Sequence, residues 1–383
     1  MEEKYKAVFI LHALGDTIGF KNGDWEFNYE KINSSIEAVF EFIYEFIELG
    51  GVNGINLKNW HVSDDTLYHM AIAEALLEYD DKSYDENYDK YIDKYIWTIK
   101  KHLIKTHKRI FNDTKQHKIM RYQGLLTDLE IQKFTKKNDA RHSKYNYKAY
   151  GNGCAMKSLC IGLAFHNKKD LNKLLDISIT SSMLTHNSPL GYLAGLTIAY
   201  FTYLAINKYD IETWIYKLLE LLESKLIKQH IDLYKNDTNF IDISDDYIKT
   251  IKIWKEYLNV RFNNNNKPIK EKIFTNFQYR LQFYHSIMTK TLNDTLDFNR
   301  ISAWGCFTAL IAYDALIDCD GKWEKLIFYA MLHTGDSDTI GAVAGGLYGA
   351  VYGFGDVPKS MLEHLEEKEN LYDLAAKIYK KFN

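Results

Sequence analysis

Proline is scarce in this chain: three occur in 383 residues, at Pro189, Pro268 and Pro358. So few leave long helices unbroken, because an interior proline removes a hydrogen bond and clashes with the preceding turn. Cysteine is nearly as rare. Cys154, Cys160, Cys306 and Cys319 form no CxxC pair and lack the density of a disulfide scaffold, so free thiols in a reducing compartment are expected. Charge of one sign is also missing: 48 Lys and Arg stand against 51 Asp and Glu, a net charge of −3. That balance gives no electrostatic footing for nucleic acid or for an anionic membrane. The start, Met1-Glu2-Glu3-Lys4, has no basic region leading into an apolar run, so no signal peptide is read and a cytoplasmic location is expected.

Two uncharged stretches, 185–207 and 339–355, test the expectation that no membrane is involved. The first contains 189–206, close to the ~20 residues that span a bilayer. Its tyrosines and threonines, and the helix-start pair Ser188-Pro189, favour a buried core helix instead. The second is too short to span and follows an acidic cluster directly.

Strand periodicity and tandem repeats are absent, and what remains is helical. Residues 35–48 place Ile36, Val39, Phe40, Ile43 and Ile47 on one expected apolar face; 67–77 do the same with Leu67, Met70, Ala71 and Ala75. Further helices are expected at 189–206, 212–226, 308–318, 323–332, 339–352 and 371–381. A polar stretch at 107–148 and the run Asn263–Asn266 break the rhythm, but neither resembles a linker. The expectation is a single all-α domain over residues 1–383.

Chemistry concentrates at two helix starts. Ser63-Asp64-Asp65-Thr66 alone reads as capping: a serine N-cap with acidic residues in the first turn. His333-Thr334-Gly335-Asp336-Ser337-Asp338-Thr339 repeats the pattern some 270 residues later. Together they offer the converging oxygen ligands that hard divalent cations need, and without a cation such carboxylates would repel or take up protons. After Asp338, glycines recur at 341, 345, 349 and 353. Each weakens a helix by roughly 1 kcal/mol, which points to close backbone approach by a neighbouring helix.

Three further segments carry weaker signals. In Gly15-Asp16-Thr17-Ile18-Gly19 followed by Trp25-Glu26-Phe27, a carboxylate between aromatics is either a surface residue or an acid with a raised pKa. Gly151-Asn152-Gly153-Cys154-Ala155-Met156-Lys157 reads as a turn into a helix, a form suited to phosphate. His186, in Thr185-His186-Asn187-Ser188-Pro189, stands before a buried helix, where a capping or core role is the common outcome.

Taken together and in this order, these blocks resemble the ADP-ribosylglycohydrolase family, most nearly its ADP-ribosylarginine hydrolases. The matching segments are 15–27, 60–78, 151–163, 183–196, 310–316 and 333–354, with thin similarity at 100–145 and 210–300. The resemblance implies an orthogonal all-α bundle around two Mg2+ ions, with Mn2+ an alternative. It implies Ser63, Asp64, Asp65, Asp336, Asp338 and Thr339 as metal ligands and Glu26 at the mouth of the site. Gly151, Asn152, Gly153, Cys154 and Ala155 would cradle phosphate, and His186 would touch substrate. Asp64 or Asp65 would then orient or deprotonate the attacking water, with Glu26 as a further catalytic residue.

The expected activity is metal-dependent removal of ADP-ribose from modified arginine or a related conjugate, on a protein or a small molecule. A non-catalytic ADP-ribose-binding or structural protein on the same fold is the alternative, and a two-metal phosphate or amide hydrolase fits the carboxylates but not the glycine turn and Glu26. Two departures stand out. Lys157 replaces the family's usual arginine, losing a planar fork for a point charge. Residues 304–309 pass straight through where arginine-specific relatives carry extra residues near the adenosine end.

Overall fold

The computed structural model describes residues 1–28, 36–134, 143–270 and 276–383. Its main helices are α1 (Glu2–Phe20), α2 (Ile36–Glu48), α3 (Asp64–Leu77), α4 (Tyr88–Asn112), α5 (Leu125–Gln132), α6 (Leu171–Met183), α7 (Pro189–Ile206), α8 (Phe240–Arg261), α9 (Phe277–Leu292), α10 (Gly305–Asp318), α11 (Ser337–Tyr352) and α12 (Lys368–Phe382). Two isolated bridges, Gly151 with Trp304 and Phe262 with Pro268, are the only β pairings among the described residues. The all-α expectation holds.

At the centre α1 and α11 lie antiparallel. Ala7 faces Gly349, Leu11 faces Gly345, Gly15 faces Gly341 and Gly19 faces Ser337. A Cβ added at Gly345 would sit 2.1 Å from the Leu11 carbonyl oxygen, and one at Gly15 would sit 2.0 Å from that of Gly341. The glycine spacing therefore serves a helix crossing in which two backbones touch. Ser337 Oγ closes the end of the seam by donating to the Gly19 carbonyl at 2.7 Å. Gly353 takes no part; it is the C-cap of α11, with φ +66°. Gly345→Ala should cost about 1–3 kcal/mol through overpacking, read as a lower Tm with ordinary helix content; an unchanged Tm would show that the seam can open freely.

α7 has the length and composition of a membrane span, yet all of its residues are buried in the protein. The four cysteines are free and buried.

Three expectations need correction. In α2 the buried residues are Ala38, Val39, Phe42 and Phe46, while Phe40 and Ile47 are exposed. Apolar residues occur on most of that helix's circumference, so periodicity alone gave the wrong phase; residue 35 lies outside the described residues. The helix expected at 212–226 is two, Trp214–Leu222 and Lys225–Asp232, because Ser224 starts the second by accepting the Ile227 N–H. The polar stretch 107–148 is not a simple break: α4 runs into it as far as Asn112 and α5 lies within it, with 135–142 outside the described residues.

Candidate active site

The α1–α11 seam brings Asp16 alongside the acidic start of α11. Asp16, fully buried, accepts the Ser63 N–H through both oxygens at 3.0 and 3.1 Å, and the Thr66 N–H at 3.2 Å. The Thr66 hydroxyl also donates to it. One α1 side chain thus pins the start of α3 to α1, whose own end meets the start of α11 at Gly19 and Ser337. Burial pushes the Asp16 carboxyl up to about 6, against the opposing effect of these hydrogen bonds. Sequence inspection singled out its motif but gave Asp16 no role, because the role depends on what α1 packs against.

The two helix starts then meet directly. Ser63 is the N-cap of α3, its Oγ accepting the Asp65 N–H. Asp65 also takes a hydrogen bond from Thr339 of α11. Asp336 is the N-cap residue of α11, and its Oδ2 accepts the Asn152 amide at 2.9 Å. The same amide reaches Thr308 Oγ1 at 3.0 Å, so the glycine turn is tied to both α10 and α11. The Phe27 N–H donates to the Gly335 carbonyl at 2.9 Å, bringing Glu26 to the same place. Glu26 is 5% exposed, so it is not a surface residue.

These groups line a cavity of about 400 Å3 with Glu26, Phe27, Asp64, Asp65, Asp336, Asp338 and Thr339 on one side. Gly151, Asn152, Gly153, Met156 and His186 form the other side. Three residues singled out by sequence stand behind the wall: Ser63 is fully buried as a cap, Cys154 points its Sγ at the Gly191 carbonyl, and the Ala155 N–H closes the turn onto the Asn152 carbonyl. His186 packs over the turn: a Cβ on Gly153 would lie 2.7 Å from its Cε1. Lys157 is buried and donates to Thr185 Oγ1 at 3.0 Å, and burial lowers its ammonium to about 8.

Residues 122–127 of the polar stretch supply a third wall that sequence patterning did not find. Arg121 anchors it. Its guanidinium binds Asp113, Glu366 and the Val62 carbonyl, and its own carbonyl accepts the Asp64 N–H at 3.1 Å. Ala303 and Tyr150 close the remaining edge, where the Tyr150 and Trp304 rings stack at 3.8 Å. The short 304–309 segment runs from that stack straight into α10.

The electrostatics are those of uncompensated acids. Burial first, then the facing Asp336, Asp64 and Asp16, push the Glu26 carboxyl well above its usual range. Asp64, Asp65 and Asp338 are raised in the same way, each by burial and then by neighbouring carboxylates. Glu26 Oε2 and Asp65 Oδ2 are buried without a hydrogen-bond partner. An all-oxygen acidic set with two orphaned oxygens has the chemistry of a hard-cation site. The ligand sphere is not preassembled: among the described residues no three His, Cys, Asp or Glu side chains are already grouped to hold a metal. Asp338 instead spends one oxygen on the Thr339 N–H and shares a hydrogen bond with Asp336.

An all-helical bundle whose two acidic helix starts face a glycine turn across one cavity defines a recognisable class. A solved ADP-ribosylglycohydrolase-related protein complex has the same fold, with a TM-score of 0.56 and 16% identity over 100% of this chain and 99% of that one. The chain belongs to the ADP-ribosylglycohydrolase family, whose model matches residues 1–383. It is 30% identical to the ADP-ribosylhydrolase ARH1 of Dictyostelium discoideum, over 98% of this chain and 94% of that protein. It is also 30% identical, over 90% of its length, to an Acanthamoeba polyphaga mimivirus protein provisionally named an ADP-ribosyl glycohydrolase. The ADP-ribosylhydrolase ARH3 of Homo sapiens is 25% identical over 61% of this chain. The chain spans 63% of the mimivirus protein's length and 59% of the human one's.

Proposed function

We propose that this chain is a divalent-cation-dependent hydrolase that removes ADP-ribose from a modified group, with ADP-ribosyl-arginine the first substrate to try. The observation that carries this reading is the two-sided cavity, acidic at the α3 and α11 starts and lined opposite by the Gly151–Gly153 turn and His186. Its volume of about 400 Å3 lies within the range of small-molecule sites. Family membership and the Dictyostelium relative support removal of ADP-ribose as the reaction class.

In this reading the ribose end of the substrate lies against the carboxylates and the diphosphate against the glycine turn. Asp64, Asp65, Asp336, Asp338 and Thr339 would hold the cation, Mg2+ or Mn2+ by the hardness of their oxygens. A cation bound there supplies charge neutralisation and Lewis acidity at a ribose whose bond breaks with oxocarbenium character. Asp64 and Asp65 orient the attacking water and draw off its proton. Asn152 keeps the turn and Asp336 in register, so both ends of the substrate are placed at once. Ser63 Oγ accepts the Asp65 N–H with one lone pair and keeps a second, so it would cap the helix and join the ligand set together.

Glu26 faces the same space with one free oxygen, in position to exchange a proton with the leaving group or the water. Glu26→Gln should lower turnover by roughly 10²–10⁴ while folding and cation binding stay close to wild type. Unaltered rates against ADP-ribosyl-arginine, ADP-ribosyl-serine and O-acetyl-ADP-ribose would remove Glu26 from the mechanism. The reading as a whole is tested by calorimetric titration of ADP-ribose with and without Mg2+: saturable binding is expected, and none under either condition overturns it.

A further inference from the structure

His186 is held from behind by a buried relay. Lys157 Nζ lies 3.0 Å from Thr185 Oγ1, and Thr185 Oγ1 lies 2.9 Å from His186 Nδ1. All three side chains are buried, and these two contacts are the only ones made by the Thr185 hydroxyl among the described residues. An ammonium group has three donors and no acceptor, so Thr185 Oγ1 must receive from Lys157. Its single hydroxyl proton then has one place to go, the Nδ1 lone pair. A proton on Nδ1 instead would leave the buried hydroxyl with no acceptor, a cost that native structures avoid.

The imidazole is neutral, because burial and the nearby Lys157 charge hold its pKa down to about 3. With Nδ1 accepting, the ring proton sits on Nε2. That edge lies against the glycine turn of the cavity, where a Cβ on Gly151 would be 3.2 Å from Nε2.

We propose that Lys157 is a positioning residue that, through Thr185, fixes His186 as an Nε2–H donor to an acceptor oxygen of the substrate, a phosphate oxygen of the ADP-ribosyl group. The inference rests on the functional reading above only for the identity of that ligand. It also gives the lysine a function that a point charge fulfils: one N–H aimed at one hydroxyl, with no planar fork required.

The test is nitrogen NMR of the full chain carrying 15N-histidine, with the His186 signal identified by its loss in His186→Asn. Wild type should show an unprotonated Nδ1 and a protonated Nε2. Thr185→Val and Lys157→Met should each mix the tautomers and weaken ADP-ribose binding by about three- to tenfold. Thr185→Ser, which keeps the hydroxyl, should restore both. Wild type that binds ADP-ribose with its His186 proton on Nδ1 overturns this inference alone. Wild type with the expected tautomer and no affinity for ADP-ribose overturns the functional reading, and with it the ligand named here.

Discussion

Asp65→Asn and Asp338→Asn should each abolish ADP-ribose release, by at least roughly 10²–10⁴, while making the chelator-treated protein more stable to heat. Both effects have one cause. Asp65 and Asp338 are buried among like charges, which raises their pKa values and disfavours the ionised folded state. Asparagine keeps the size and an acceptor oxygen for the Thr339 contacts while removing the repulsion. The same change removes a charged ligand, so cation binding suffers. Added Mg2+ should stabilise wild type by about 2.7 kcal/mol at a hundredfold excess over Kd, and should stabilise the two variants much less. Differential scanning calorimetry beside a turnover assay reads both. A wild-type Tm indifferent to Mg2+ and Mn2+ would contradict the proposed cation site, and full activity in either variant would remove that carboxylate from the mechanism.

Gly153→Val should abolish ADP-ribose binding, or weaken it by at least about a hundredfold, with little change in Mg2+ stabilisation. A first added carbon already meets His186 Cε1 at 2.7 Å and Thr127 Oγ1 at 2.9 Å. A branched side chain must displace both, and both line the cavity. A hundredfold loss corresponds to about 2.7 kcal/mol, within reach of a steric block combined with a displaced donor. The acidic wall is built from other elements and should survive. Isothermal titration with ADP-ribose and then with Mg2+ separates the two ends of the site; wild-type affinity for ADP-ribose would show that the turn does not touch the ligand.

Much of this site was legible in the sequence because its parts are local. Ser63-Asp64-Asp65 and Asp336-Ser337-Asp338 announce themselves as helix starts, and Gly151-Asn152-Gly153 as a turn. The glycines at 341, 345 and 349 pointed to a close helix crossing, but not to its partner. That partner, α1, went unrecognised as a helix: Ala7 to Phe20 are all buried, so no polar face sets a period. Asp16 was missed with it, since its value lies in the N–H groups of Ser63 and Thr66, about fifty residues away. Arg121 was missed for the opposite reason. It sits in a polar stretch without helical periodicity, while its partners Asp113, Val62 and Glu366 come from three separate places in the chain. Side-chain roles fixed by long-range partners leave no local pattern to read.

Chelator-stripped protein, given ADP-ribosyl-arginine before and after Mg2+ is restored, tests the central claim most directly, with released ADP-ribose resolved by chromatography. The account predicts no release from the stripped protein, release on adding Mg2+ or Mn2+, and loss again on chelation. Full release by the stripped protein would contradict the role given to Asp64, Asp65, Asp336 and Asp338. Folded, Mg2+-loaded protein that binds ADP-ribose but cleaves neither the arginine, the serine nor the O-acetyl conjugate would make this chain a binding protein on a hydrolase fold.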